Sequence, residues 1–329
     1  MKVATVIGAT GYVGSHIVSC LLGKGWLVRC SSRAPESAQW LRSLPYAEDR
    51  IEIHKLTLDN SGPSDVNEID TLLSGADSVF FCAGFETQAP ETIEFMRNGA
   101  LSIVRGASKH KVPVVVLTSS GGSTNPPGHT NDVPKNELLH WSDPDVQISN
   151  SRYSPAAKTL MEIAALHEVG RNQQNEVVDE EKAKGAPRLC IMNPNLILGP
   201  QLQPGSVAGN SLPWMVKILR GEAMNKEVPN DSMSIIDVRD LAELHVACAE
   251  NEAASGRYFG VQRSWPWEEI LTVFEEIYPK YKKPPRFKGE ANLETLFDTT
   301  RRDSLGVRMR PLKDTMSDVV AFMADRGHV

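Results

Sequence analysis

The sequence predicts an α/β protein, a parallel sheet with helices on both faces, and three observations predict it. Short apolar runs alternate with longer mixed segments from the start of the chain to about residue 200. One run, Val112–Thr118, is almost without polar residues, as a strand covered on both faces requires. The first run ends in a glycine turn that leads directly into a helix-like pattern.

Taken in order, the strands are expected at Val3–Ile7, Leu27–Cys30, Ile51–Leu56, Ser78–Cys82, Val112–Thr118 and Leu189–Met192. Helices are expected between them, at Tyr12–Leu22, Ile93–His110 and Ala156–Glu168. Strand, helix, strand in repetition is the pattern of β-α-β crossovers. After about residue 200 the texture changes, with Pro and Gly through Gly199–Pro213, a Trp265–Trp267 cluster and a basic run over Lys280–Lys288. A chain of 329 residues, at about 150 per domain, divides into roughly two. The expected division is a nucleotide-binding domain over 1–200 and a smaller substrate lobe over 201–329, some of whose segments return to the first domain.

Composition excludes several functions. Lys and Arg number 35 against 41 Asp and Glu, a net charge of -6, so no basic excess invites nucleic acid or an anionic membrane. No stretch approaches the roughly 20 apolar residues of a membrane span. Met1–Gly8 runs straight into a strand, without the apolar core of a leader. The five cysteines are odd in number and without a C-x-x-C pair, which suits a reducing compartment, the cytoplasm, better than a disulfide framework. The eight histidines form no H-E-x-x-H pair, and no metal site is expected.

The first strand ends in Gly8-Ala9-Thr10-Gly11-Tyr12-Val13-Gly14, and Ile17, Val18, Leu21 and Leu22 then recur at helical spacing. Glycine turns are common, but this one joins a strand to a helix at the first crossover, where a dinucleotide fingerprint belongs. Its glycines permit a tight turn and close approach of backbone to a pyrophosphate, and the helix N-terminus offers N–H groups to the phosphates. The expected fold is therefore a Rossmann-type doubly wound parallel sheet with a smaller C-terminal substrate lobe. The second strand selects the cofactor. An enzyme that prefers NAD places an acid at this strand's end, whereas a 2′-phosphate requires a cation. Here the strand runs Leu27-Val28-Arg29-Cys30-Ser31-Ser32-Arg33, without an acid at its end. Ser32 and Arg33 point to NADP(H), and Asp59 is a candidate for the adenine amine.

These features together resemble the extended short-chain dehydrogenase/reductase superfamily, and within it the group of dihydroflavonol reductases, cinnamoyl-CoA reductases and yeast aldehyde/ketone reductases. The resemblance spans nearly the whole chain. It rests on Gly8–Gly14, Val28–Arg33, Val79–Gly84, Arg97-Asn98-Gly99, Leu117–Asn125, Trp141-Ser142-Asp143, Asn193–Pro200, Ile236–Ala242 with His245, and Gly256-Arg257-Tyr258. It implies a catalytic serine at Ser120, a supporting Asn98, a substrate contact at Asn125, and Ala83, Pro194, Asn195 and Leu196 along the cofactor. The implied activity is reduction by NADPH of a small aldehyde or ketone.

The family's Tyr-x-x-x-Lys is where this sequence departs. Tyr153 precedes Lys158 by five residues, while Lys158-Thr159-Leu160 with Glu162 matches the family's helix, so strict register puts Ser154 at the tyrosine position. Four residues advance about 40° around a helix and five about 140°. Two arrangements stay open at this level. A bulge at the helix start absorbs the extra residue, and Tyr153 serves as acid with Lys158 tuning it. Otherwise Tyr153 points elsewhere, and the protein binds NADP(H) as a sensor or scaffold with an impaired site. A sugar-nucleotide epimerase or dehydratase, which retains NAD, is the weaker alternative.

Overall fold

The computed structural model describes every residue except 64, 85–88, 208 and 210. Strands β1 (Val3–Ile7), β2 (Leu27–Ser32) and β3 (Ile51–Lys55) are followed by a ribbon of two-residue strands, β4 (Leu58–Asp59) and β5 (Gly62–Pro63). The chain returns through β6 (Ser78–Phe81), β7 (Val114–Thr118) and β8 (Arg188–Pro194). Then come β9 (Leu196–Leu198), β10 (Ser232–Asp237), β11 (Gly256–Gly260) and β12 (Arg263–Pro266). The main sheet has seven strands in the order β11-β8-β7-β6-β1-β2-β3, all parallel. The order reverses between β1 and β6, which opens a crevice beyond their carboxyl ends where such sheets bind dinucleotides.

Each central strand feeds two cores, because side chains alternate across the sheet. Val6, Phe80 and Val116 pack on one face with Ile17, Leu21 and Leu22 of α1 (Tyr12–Gly23). Ile7, Phe81, Val115 and Leu117 pack on the other with Ile69, Leu72 and Leu73 of α2 (Val66–Leu73) and Ile103 and Val104 of α3 (Glu91–Lys109). After α4 (Pro144–Ser149), helix α5 (Tyr153–Glu168) adds Met161 and Ala165 to this second face.

The remaining helices are α6 (Glu180–Ala183), α7 (Ser211–Leu219), α8 (Val238–Glu250), α9 (Trp267–Ile277), α10 (Thr300–Asp303) and α11 (Leu312–Asp325). Helix α8 covers the first face beside α1, with Leu241 and Leu244 in its core. A separate core lies under the sheet β12-β10-β9, where α7, α9 and α11 meet. Met215, Trp265 and Trp267 are buried there, and Trp214 packs edge-on against Trp267 at 5.3 Å.

The expected strands are present, with shifted ends that have local causes. β7 begins at Val114, because Pro113 has no N–H to give a ladder. α5 begins at Tyr153, three residues before the expected start, since Pro155 in the first turn forgoes only an N–H that lacks a partner anyway. The seventh strand, β11, lies beyond the change of texture at residue 200 and pairs with β8 along its whole length, from Gly256↔Cys190 to Gly260↔Pro194.

Candidate active site at the carboxyl edge of the sheet

The first turn fits a pyrophosphate. Gly8 has φ +83°, and a Cβ on Gly14 would stand 2.1 Å from the Gly8 carbonyl oxygen, so neither position accepts a side chain. Gly11 caps α1 without a side-chain hydrogen bond, which leaves the N–H groups of the first turn, Tyr12 and Val13, to an outside acceptor. The Tyr12 hydroxyl turns away and donates to Gly199 O at 2.8 Å. His16 Nε2–H donates to Pro200 O at 2.9 Å, and burial lowers this imidazole to about 4. The turn is thereby tied to the chain after β9.

At the end of β2, Ser32 closes its own turn, with Oγ donating to Ala34 O at 3.0 Å and accepting from Ala34 N at 3.2 Å. Arg33 is exposed, and among the described residues no hydrogen bond or ion pair engages it. Asp59 lies in the ribbon, with Oδ1 accepting from Ser61 N and Oγ at 2.8 and 2.6 Å. Asn98 supports that ribbon: its Nδ2 donates to Asn60 O at 2.7 Å and to Glu94 at 3.2 Å. Its hydrogen bonds therefore hold the β4–β5 ribbon and not Ser120 or Lys158. Ala83 follows β6 against Gly8, whose added Cβ would come within 2.8 Å of Ala83 N.

At the end of β7, Ser120 caps a 3₁₀ turn over Gly121–Ser123, and its Oγ accepts from Gly122 N at 3.0 Å. Its hydroxyl proton has no acceptor among the described residues and is left for a ligand. Pro194 O and Asn195 border Gly121, so the segment running into Leu196 stands beside the serine. Asn125 closes the turn, with Nδ2 donating to Gly121 O at 2.9 Å.

Lys158 Nζ donates to Thr118 O at 2.8 Å, and burial lowers this ammonium to about 8. Thr118 Oγ1 lies 2.8 Å from His245 Nε2. Burial lowers His245 to about 4 and its Nδ1–H donates to Leu241 O at 2.7 Å, so the neutral ring accepts the threonine proton at Nε2. Helix α5 is α-helical throughout, with Ala156 N already bonded to Arg152 O. Within the helix no bulge absorbs the extra residue, and the irregular backbone lies before it, at Ser151 with φ 57°. A regular helix puts Ser154 about 40° and Tyr153 about 140° from Lys158. Pro155 holds the helix start against the serine turn, since a Cβ on Gly122 would lie 3.1 Å from Pro155 Cβ.

Beneath these groups is a cluster that no sequence rule isolates. Glu162, one turn beyond Lys158, is fully buried. Its Oε1 accepts from Ser119 Oγ, from Ser123 Oγ, and from Asn193 Nδ2 at 2.8 Å. Its Oε2 faces Arg257 Nε at 2.7 Å. Arg257 is also fully buried; it donates to Glu137 O, His140 O and Ser123 O at 2.7, 3.0 and 2.8 Å and lies 3.6 Å from the Trp141 ring centroid. Ser123, Trp141, Asn193 and Arg257 are all residues that carried the family resemblance, and here they converge. Glu137 is buried alongside, its carboxyl pushed up to about 7 by burial, with Arg301 Nε at 3.7 Å.

Residues 4–261 match the NAD dependent epimerase/dehydratase family. The chain belongs to this family of nicotinamide-dependent enzymes, within its extended short-chain dehydrogenase/reductase branch. It is 32% identical to cinnamoyl-CoA reductase 2 of Arabidopsis thaliana, over 100% of this chain and 94% of that protein. It is 27% identical to dihydroflavonol 4-reductase of Callistephus chinensis, over 98% and 86%. Its fold matches yeast methylglyoxal/isovaleraldehyde reductase Gre2, a structure solved with NADPH, with a TM-score of 0.81, 22% identity and full coverage of both chains. Among the described residues, no helix is long and apolar enough to cross a membrane, and no group of three or more His, Cys, Asp or Glu could hold a metal ion.

Glu162→Ala leaves Arg257 buried without its counter-charge. Urea unfolding is expected to show a loss of about 3–5 kcal/mol; a loss under about 1 kcal/mol would mean that the pair bears little on stability.

Proposed function

We propose that the chain is an NADPH-dependent reductase of aldehydes or ketones, working on a small substrate in a reducing compartment. One observation carries this reading: Ser120, whose hydroxyl proton meets no acceptor among the described residues, and Lys158, with a lowered pKa, lie at the mouth of β7, near the point where the strand order reverses. Arg33 supports the phosphorylated cofactor, because it is a cation without a partner among the described residues, where NAD enzymes keep an acid. The named relatives are reductases, which favours this reading over an epimerase that keeps NAD or a sensor that turns nothing over.

Bound NADPH supplies hydride to the carbonyl carbon. The residues of the chain position the reactants and manage the proton. Gly8, Thr10, Gly11 and the first turn of α1 would hold the pyrophosphate, Arg33 the 2′-phosphate from the turn that Ser32 closes, Asp59 the adenine, and Ala83 with Pro194–Leu196 the nicotinamide end. Ser120 donates to the carbonyl oxygen and stabilises the charge that develops there. A tyrosine would ordinarily protonate that oxygen. Here Ser154 occupies the face of Lys158, and a serine is too weak an acid to act alone. The Lys158 ammonium, at about 8, supplies the proton and the Ser154 hydroxyl passes it on. Tyr153, at the opening residue of α5, is the rival donor.

Two measurements test this. Arg33→Ala is expected to raise the Kd for NADPH about 10- to 100-fold, the worth of a charge-assisted hydrogen bond, without weakening NADH; equal loss for both cofactors would remove the phosphate role. Ser154→Ala is expected to lower kcat about 100-fold or more while Tyr153→Phe changes it by less than about threefold. In the wild type, reduction should fall as pH rises through about 8, where Lys158 loses its proton. The reverse ranking of the two variants would assign the acid to Tyr153.

A further inference from the structure

The loop between Asn125 and Ser142 buries a positive charge that the reaction above does not use. Lys135 is 8% exposed. Its backbone is fixed on both sides, N–H donating to Leu296 O at 2.9 Å and C=O accepting from Asp298 N at 2.8 Å. The ammonium donates to Asn125 Oδ1 and stands 5.9 Å from the Phe297 ring centroid. Among the described residues, no carboxylate pairs with it. The acids nearest in sequence are engaged elsewhere: Asp132 with Thr130, Glu137 near Arg301, and Asp298 with Asn136 and Thr300. Burial lowers the Lys135 pKa, and no neighbouring carboxylate restores it.

An ammonium taken out of water without a counter-charge is costly, and proteins normally pair it. Its position suggests what pairs with it. Asn125 gives Oδ1 to Lys135 and uses Nδ2 on Gly121 O, so a single side-chain amide separates the ammonium from the backbone next to Ser120. Asn125 is itself exposed and lines a recess of about 110 Å³ together with Ser142, Gln147, the carboxylate of Asp143 and the guanidinium of Arg152.

We propose that Lys135 anchors an anionic group on the substrate, so that the preferred substrates are carbonyl compounds carrying a carboxylate remote from the reacting carbon. This rests on the reductase reading and narrows its substrate class. A single carboxylate is favoured over a phosphate, because Arg152 on the recess wall is offset by the carboxylate of Asp143, which leaves Lys135 to balance one negative charge.

The test compares 4-carboxybenzaldehyde with its neutral methyl ester as substrates for NADPH oxidation by the full chain. The wild type is expected to favour the acid at least tenfold in kcat/KM, and 0.5 M KCl is expected to shrink that preference. Lys135→Met should bring the acid-to-ester ratio close to one, and Lys135→Arg should keep most of it. A wild-type ratio near one, or a ratio unchanged in Lys135→Met, overturns the proposal while leaving the reductase reading intact. If neither compound is reduced, the reductase reading fails for this class, and calorimetry decides the anion site by itself. In that case 4-carboxybenzyl alcohol should bind the wild type with NADPH present at least tenfold more tightly than Lys135→Met, and equal binding counts against the site.

Discussion

The buried pair between Glu162 and Arg257 is the contact on which the geometry of the site depends. Two charges removed from water are tolerable only when geometry and further hydrogen bonds offset the desolvation. Here the two charges stand 2.7 Å apart, and their other atoms carry the further hydrogen bonds. The carboxylate collects two serine hydroxyls and an asparagine amide, and the guanidinium satisfies three backbone carbonyls and lies on an indole. The groups so gathered come from α5, from the turn after β7, from the end of β8, from β11 and from the loop through His140. Ser120 and Lys158 belong to two of those segments, so their separation follows from the cluster beneath them. The same cluster explains why β11 pairs with β8 so far along the chain from its neighbours: it delivers Arg257.

A second constraint is the register of α5. A bulge would have rotated Tyr153 toward the face of Lys158, but the helix is regular from its first turn. What shares the lysine's face is then a serine on one side and the buried glutamate on the other. A lysine lowered to about 8 by burial is poised to lose a proton near neutral pH, which a lysine at its ordinary value is not. On the proposed reading, the chemistry that the family resemblance assigns to a tyrosine and a lysine is redistributed over Ser120, Ser154 and Lys158.

The framework was legible in the sequence because it is written in local patterns. Val3–Ile7, the glycine turn, α1 and the apolar β7 each follow from a few neighbouring residues, and so does Arg33 at the end of β2, where no acid stands. The long-range features were not legible. β11 reads Gly-Arg-Tyr-Phe-Gly, with a glycine at each end and a charge near the middle, and only its pairing with β8 makes it a strand. Glu162 reads as an ordinary helix residue until Ser119, Ser123, Asn193 and Arg257 surround it. Lys135 reads as a loop lysine, since nothing in its neighbourhood announces burial. In each case the deciding partners are distant in sequence, and a polar side chain gives no periodicity by which to find them. Asn98 shows the converse: its match to a family position was plain, but its amide supports the ribbon at Asn60.

A crystal structure of the protein with NADPH and a bound alcohol product would test the central arrangement most directly. The predicted result places the product oxygen within hydrogen-bond distance of both Ser120 Oγ and Ser154 Oγ, with Lys158 behind Ser154 and the Tyr153 hydroxyl outside the pocket. A product oxygen bonded to the Tyr153 hydroxyl, with α5 unwound at its start, would contradict it.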